Sequence, residues 1–220
     1  MEYLLWLYSL PYDPREPVVC FDERPCQLLG ETNEALATRP GKVRRESSTY
    51  TRNGTCALLA AIEPLTGRRL AGVYKRRTKR EYALFLQRLA EAYPEADRIH
   101  LVQDNLNTHN ASSLYEYLPA DEAFALAQRF VFHYTPKGAS WLNMVEIEFS
   151  VLARKCLSRR IPSIEKLERA VLTLIQERHK QRVPIHWQFS IETARSKLNR
   201  HYRKVASVNG KFIETSFTEH

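Results

Sequence analysis

The sequence lacks a long apolar run at its start, although 44% of its 220 residues are hydrophobic, enough for a globular core. Only the first ten residues, MEYLLWLYSL, are mostly apolar, and ten residues are too few to span a bilayer. The same stretch has neither a basic leader nor a small-residue cleavage site, so it is not typical of a secretory signal peptide. We therefore expect a cytoplasmic protein with no membrane partner.

Cysteine is also sparse, and its spacing excludes some kinds of site. The four cysteines are Cys20, Cys26, Cys56 and Cys156, and no two of them form a C-x-x-C pair. Without such a pair a zinc site is not expected, and a chain of this length does not need a disulfide framework. We expect buried thiols. Internal repeats and low-complexity tracts are absent as well.

Acidic residues are scarce in one part of the chain only. Residues 1–150 contain 18 Lys and Arg against 19 Asp and Glu, whereas residues 151–205 contain 14 against 4, a local net charge of +10. The whole chain carries +8. A neutral body with a basic C-terminal third predicts a polyanionic partner, most simply nucleic acid. An ordinary solvated helical surface is the alternative.

Hydrophobic patterning predicts a mixture of strands and helices. A T-x-x-E capping box at Thr78 and Glu81 begins one helix. The polar residues 38–55 are expected to form a basic loop that ends in an Asn53-Gly54 turn. Strands are predicted at 18–22, 27–31, 56–62, 70–74, 99–103 and 130–134, and further helices at 111–118, 121–129, from Trp141, at 163–182 and at 190–204.

The order of these elements predicts an α/β fold. An antiparallel meander of early strands is followed by strand–helix–strand crossovers, which make the later strands parallel to a central one. We expect a mixed five-stranded sheet flanked by helices. The predicted division is a lead-in segment at 1–16, a core at 17–160, a basic helical extension at 161–205 and a tail at 206–220.

Two carboxylates follow predicted strands. Asp22 closes VVCFD, and Asp104 closes IHLVQD. Aspartate is a common turn former, which is the simplest explanation of either residue taken alone. If the two strands are parallel neighbours, however, both side chains emerge at the carboxyl edge of the sheet, where open α/β sheets place their active sites.

A third acid stands on the helix after the last strand, as either Glu146 or Glu148. These residues are two apart, about 200° around a helix, so they cannot both face one site. Glu146 lies at the margin of the apolar face of that helix. Glu148 lies farther round and can pair with Lys155. We therefore predict Glu146 for the site and Glu148 for the surface.

Converging carboxylates repel one another. Two unit charges about 4 Å apart at an effective dielectric of about 20 repel by about 4 kcal/mol, so an uncompensated cluster is costly or takes up protons. Hard divalent cations remove that cost, because they take carboxylate oxygens together with water and phosphate. Two such ions can activate a water and stabilise the leaving oxygen of a phosphodiester. The sequence thus offers the ligands of a two-metal nuclease beside a basic region.

Three segments carry a family resemblance. VVCFDE, DNLNTH and HYTPKGASWLNMVEIEFSVLARKCL closely resemble the catalytic domain of bacterial insertion-sequence transposases in the Tc/mariner superfamily. The resemblance covers residues 5–205 and includes NGT at 53–55, RRTK at 76–79 and the closing HWQFSIETARSKLNRHY. Those enzymes carry an aspartate–aspartate–glutamate triad on an RNase H-like fold.

The resemblance implies an RNase H-like core at 17–160 with a catalytic, metal-binding triad of Asp22, Asp104 and Glu146. It implies two Mg²⁺ or Mn²⁺ ions, cleavage of transposon ends by water, and transfer of the freed 3′-hydroxyl into target DNA, commonly at TA dinucleotides. It also implies a homo-oligomeric active complex and a bacterial, nucleoid-associated protein.

One feature of the family is missing. Its members usually have an N-terminal helix-turn-helix region that reads the terminal repeats, and only about sixteen residues precede the first strand here. We therefore expect a catalytic part made separately, a truncated copy or a fragment. A truncated derivative that binds DNA or full-length subunits without cutting is the alternative function. Another RNase H-like nuclease, such as a resolvase, is a third.

Further candidates surround the triad. Asn105 could orient Asp104 or a water, and His109 could touch a phosphate or the nucleophile, or equally bond to backbone at a helix start. Trp141 could stack on a base, but we expect it in the core. DNA contacts are predicted at Lys137, Arg159, Arg160, Lys197, Arg200 and Lys204, with the loop residues Lys42, Arg44, Arg45 and Arg52 as the alternative surface.

Overall fold

Five strands within the described residues form one mixed sheet. They are β1 (Val18–Glu31), β2 (Tyr50–Glu63), β3 (Arg68–Tyr74), β4 (Ile99–Gln103) and β5 (Phe130–Tyr134). Their order is β3-β2-β1-β4-β5, with β1 to β3 antiparallel and with β4 parallel to both β1 and β5. The computed structural model describes residues 1–32, 49–106 and 109–204. The predicted α/β fold, a mixed five-stranded sheet that joins an antiparallel meander to parallel strands, is confirmed.

The described residues also form seven helices. They are α1 (Glu2–Ser9), α2 (Lys79–Ala92), α3 (Ser112–Tyr115), α4 (Ala120–Gln128), α5 (Val145–Lys155), α6 (Ile164–Lys180) and α7 (Ile191–Lys197), with a 3-10 turn at Ser140–Leu142. The capping box is confirmed, because the Thr78 amide donates to the Glu81 carboxylate at 3.0 Å. Among the helices of the described residues, none combines the length and apolar character that a bilayer crossing requires.

The chain divides into two units. The larger, residues 12–186, contains the sheet and helices α2 to α6. Among the described residues, the smaller combines residues 1–11 with 187–204 and contains α1 and α7. Within it, the Arg195 guanidinium donates to both carboxylate oxygens of Glu2, at 2.7 and 2.8 Å.

Both faces of the central strands are buried. On one face Phe21 packs against Tyr82 and Phe85 of α2, with ring centroids 5.6 and 5.1 Å apart. On the other face Leu58 and Ile62 are equally inaccessible. Burial on both sides explains why residues 56–62 read as a continuous apolar run rather than an alternating one. All four cysteines are buried thiols, as predicted.

Residues 18–31 form one strand, so the prediction of two separate strands was wrong. Arg24 and Pro25 remain paired with Leu58 and Ala57 of β2. Proline is tolerated because β1 pairs with β4 only at Val18–Cys20, which leaves that edge of β1 open at Pro25.

The predicted Asn53-Gly54 turn was also wrong, because these residues lie inside β2. Leu28 pairs with Gly54 and Leu29 with Arg52, so Asn53 is the extra residue of a β-bulge. Gly54 has a φ of 114°, a conformation that glycine adopts without strain. The part of the predicted loop from 38 to 48 lies outside the described residues.

Glu148 is buried, and the prediction that it lies at the surface was wrong. Its side chain is 1% exposed and accepts a hydrogen bond from Arg69 Nε at 2.9 Å and two from Arg178 at 2.8 and 3.1 Å. Arg69 also donates to the carbonyls of Gly67 and Val183, at 2.5 and 2.9 Å. This buried ion cluster joins β3, α5 and α6, and its partners are too distant in sequence for a helical pattern to indicate.

The cluster generates a stability prediction. Glu148→Gln leaves two buried guanidinium groups without a counter-charge, so the free energy of unfolding should fall by about 3–5 kcal/mol. Glu146→Gln, the same substitution two residues away on a half-buried side chain, is the matched control and should change it by less than about 1 kcal/mol. Urea unfolding measures both. Equal losses in the two variants would contradict a stabilising role specific to Glu148.

Candidate active site

Asp22 and Asp104 lie at the same level of two adjacent parallel strands. The last parallel pair between β1 and β4 is Cys20 with Val102, and each aspartate follows its member of that pair by two residues. β4 ends at Gln103, as predicted, whereas Asp22 lies within β1 rather than at its end. The two strands are therefore the parallel neighbours that the sequence argument required, and both carboxylates stand at one edge of their pairing.

Asn143 brings the start of α5 to this edge. Its side chain is buried, and Nδ2 donates to the carbonyl of Phe21 at 2.8 Å. Because Phe21 directly precedes Asp22, this bond ties the start of the helix to the strand that carries the first aspartate. Glu146 follows in the first turn of α5 and is half-buried. The Asn-x-x-Glu spacing in the sequence is the signal of this arrangement.

The charge of Asp22 is perturbed by its surroundings. Burial is the main cause of a pKa raised to about 7, and a hydrogen bond from the Glu23 amide at 2.7 Å opposes it. The negative charges of Asp104 and Glu146 raise the pKa of Asp22 further. The structure thus brings Asp104 and Glu146 within electrostatic range of Asp22.

His109 lies beneath Asp104 rather than at the surface of the site. Its side chain is fully buried, Nδ1 is 2.5 Å from the Asp104 carboxylate, and the ring stacks on Tyr82 at a centroid distance of 4.9 Å. Burial alone lowers the pKa of His109, but its contacts with Asp104 and Glu23 outweigh burial and raise it to about 9. The ring bonds to a carboxylate, so the alternative of a backbone-bonded histidine at a helix start was wrong, and contact with a phosphate or the nucleophile stays a prediction.

Glu23 and Arg77 form a charged row with His109 and Asp104, and both were missed in the sequence. Glu23 is 6% exposed, with one carboxylate oxygen 3.7 Å from His109 Nε2 and the other 3.2 Å from Arg77 Nε. Charges therefore alternate in sign from Arg77 through Glu23 and His109 to Asp104. An acid directly after Asp22 in VVCFDE was the available signal.

Gln103 fixes the backbone at His109 and was also missed. Its amide is fully buried, accepts from the Tyr82 hydroxyl at 2.9 Å and donates to the His109 carbonyl at 2.8 Å. The Tyr134 hydroxyl donates to the same carbonyl at 3.2 Å. A glutamine that closes an otherwise apolar strand was the signal in the sequence.

The remaining candidates near the triad are accessible. Asn105 and Lys137 are exposed. Trp141 is 46% exposed, so its predicted place in the core was wrong. The reason is that α5 begins at Val145, not at Trp141, which leaves the indole on the preceding 3-10 turn.

The predicted DNA contacts lie in different parts of the chain. Arg159 is exposed in the connection after α5, and Arg160 donates to the Thr49 carbonyl at 3.1 Å. Three of the predicted contacts, Lys197, Arg200 and Lys204, are exposed in the smaller unit. Of the alternative surface, Arg52 is exposed on β2, whereas Lys42, Arg44 and Arg45 lie outside the described residues.

The donor set suits hard divalent cations. Asp22, Asp104 and Glu146 offer carboxylate oxygens, and the repulsion that raises the pKa of Asp22 is the kind that a cation relieves. In the part of the chain that the structure describes, no three His, Cys, Asp or Glu side chains lie close enough to hold one ion. The residues therefore fit ions held by one or two carboxylates each, with water and phosphate as the other ligands.

Comparison with known proteins places the chain in a family. No match to a curated protein was found. A solved structure of the simian T-cell lymphotropic virus intasome in complex with PP2A regulatory subunit B56 gamma is similar at 16% identity and a TM-score of 0.48. It covers 78% of this chain, and the chain spans 58% of that one. The family model described as DDE superfamily endonuclease matches residues 17–168, so the chain belongs to the DDE superfamily endonucleases.

Proposed function

We propose that this chain is the catalytic part of an insertion-sequence transposase of the Tc/mariner type, which cleaves transposon ends and transfers the freed 3′-hydroxyl into target DNA. The observation that carries the proposal is the placement of Asp22 and Asp104 at equal levels of adjacent parallel strands, with Glu146 in electrostatic range. Family membership already confirms the predicted endonuclease class. A TA target and a homo-oligomeric complex follow from the same resemblance.

Asp22, Asp104 and Glu146 would hold two Mg²⁺ or Mn²⁺ ions. When bound, such ions activate a water and stabilise the leaving oxygen of the phosphodiester. Asp22 must lose its proton before it can act as a ligand, and its raised pKa makes that loss dependent on pH near neutrality. Asn143 keeps the start of α5 next to β1, which fixes where Glu146 stands relative to Asp22.

The charged row would orient Asp104 through its contact with His109. His109 holds one carboxylate oxygen of Asp104 and is itself held between Asp104 and Glu23. This leaves the rest of the Asp104 carboxylate for a ligand. Above the row, the exposed Asn105 would orient a water, and the exposed Trp141 would stack on a DNA base.

The triad assignment predicts the loss of cleavage in three variants. Asp22→Asn, Asp104→Asn and Glu146→Gln each remove a ligand charge and should lower the rate of divalent-dependent DNA cleavage at least about a thousandfold, while circular dichroism shows an intact fold. A wild-type rate in any of them would remove that residue from the site. DNA binding without cleavage in the wild-type chain would instead favour the non-catalytic derivative.

Metal binding should stabilise the fold, and the gain should depend on pH. Protons and cations compete for Asp22, whose pKa is about 7 without metal, so the Mg²⁺- or Mn²⁺-induced rise in Tm should be small near pH 5.5 and grow through pH 7 to pH 8. Asp22→Asn should abolish the pH dependence, and Asp104→Asn should shrink the gain. An equal gain in wild type and both variants, measured by differential scanning fluorimetry, would place the bound ions elsewhere.

The row from Glu23 to Asp104 predicts an effect on cation affinity. His109→Gln should weaken Mn²⁺ binding about 10–100-fold, because supporting contacts of this kind tune ligand affinity by that amount. Tyr82→Phe is the control. It removes a hydroxyl from the same buried neighbourhood, and that hydroxyl bonds to Gln103 rather than to a carboxylate. Isothermal titration with Mn²⁺ measures both. A loss in His109→Gln no greater than in Tyr82→Phe would reduce His109 to a packing residue.

A further inference from the structure

A basic groove lies between the end of α5 and the start of α6, away from the triad. Its volume is about 800 Å³, and Glu177 is the one acid in its lining. The floor includes the apolar residues Cys156 and Ile161. The cations that line it are Lys155, Arg159, Arg160, Lys166 and Arg169.

Most of these cations have no counter-charge. Lys155, Arg159, Lys166 and Arg169 are exposed, and none forms an ion pair with any residue in the described ranges. Some exposed cations elsewhere are paired, as Arg15 is with Asp97. Like charges gathered without acidic partners create a positive potential that attracts an anion.

Hydrogen bonds to the β1–β2 hairpin hold one wall of the groove. The wall is the connection between α5 and α6, residues 156–163. The Ile161 carbonyl accepts from the Leu29 amide at 2.9 Å, and the Pro162 carbonyl accepts from Asn53 Nδ2 at 2.9 Å. Arg160 donates to Thr49 and lies over the Tyr50 ring, 5.6 Å from its centroid. The cations are thus carried on a fixed support and not on a free loop.

We propose that this groove binds the backbone phosphates of the DNA duplex that is cut at the triad. Lys155 and Glu146 stand nine residues apart on α5, about 14 Å along the helix axis. A duplex that lies along α5 advances about 3.4 Å per base pair, and in that orientation the groove would contact phosphates about four base pairs from the cleaved bond. A polymer spans that separation, whereas a free phosphate does not. The identity of this duplex rests on the proposed function, but its binding does not require cleavage.

The test compares two variants of equal net charge. The groove variant carries Lys155→Gln, Arg159→Gln and Arg169→Gln. The control variant carries Arg80→Gln, Arg88→Gln and Arg98→Gln, three exposed arginines on α2 and before β4. Fluorescence anisotropy with a labelled duplex of about 30 base pairs, in EDTA and at several salt concentrations, gives the slope of log K against log salt. The groove variant should flatten that slope by about three, the control by less than one.

The outcomes separate the groove from the catalytic proposal. An unchanged slope in the groove variant, or equal flattening in both variants, would overturn the groove as a DNA site. Displacement of the duplex from the wild-type chain by millimolar inorganic phosphate, at matched ionic strength, would also overturn it in favour of a free-phosphate site. A flattened slope confined to the groove variant supports the groove even if no cleavage is ever detected, in which case only the proposed function fails.

Discussion

The burial of crowded carboxylates is the constraint around which this site is arranged. Asp22 is nearly buried next to two further acids, and burial first, then repulsion from those acids, raises its pKa. Beneath Asp104 the opposite situation holds, because His109 supplies a buried positive charge between two carboxylates. The negative charge of Asp104 is therefore compensated by His109 within the protein, whereas that of Asp22 is left for cations from solution.

The scaffold restrains the elements that carry these acids. Asn143 ties the start of α5 to β1, and the buried contact of Glu148 with Arg69 and Arg178 ties the middle of the same helix to β3 and α6. Two glutamates separated by a single residue thus have different roles. Glu148 belongs to the framework, and Glu146 is free of that cluster and half-buried at the edge where ions would bind. Past the end of this helix, exposed cations that form no ion pair within the described residues line the basic groove.

Local patterns in the sequence predicted most of the fold. Continuous apolar runs and the capping box located β4, β5 and α2, and the element order led to the mixed sheet. The failures have physical causes. Asn-Gly is typical of turns, but this β-bulge needs the same positive φ at Gly54. Proline usually interrupts a strand, but β1 has an open edge at Pro25. Helical geometry separated Glu146 from Glu148 yet could not find the buried partners of Glu148, which come from β3 and α6. Glu23 and Gln103 were missed because their roles depend on contacts with His109.

Anomalous scattering from crystals grown with Mn²⁺ tests most directly whether the three acids hold divalent ions. Data collected at the manganese absorption edge locate each ion independently of any activity. We expect peaks in contact with the Asp22 carboxylate, shared with Asp104 or Glu146, and their loss in crystals of Asp22→Asn. Full occupancy at other carboxylates with no peak at Asp22 would contradict the site.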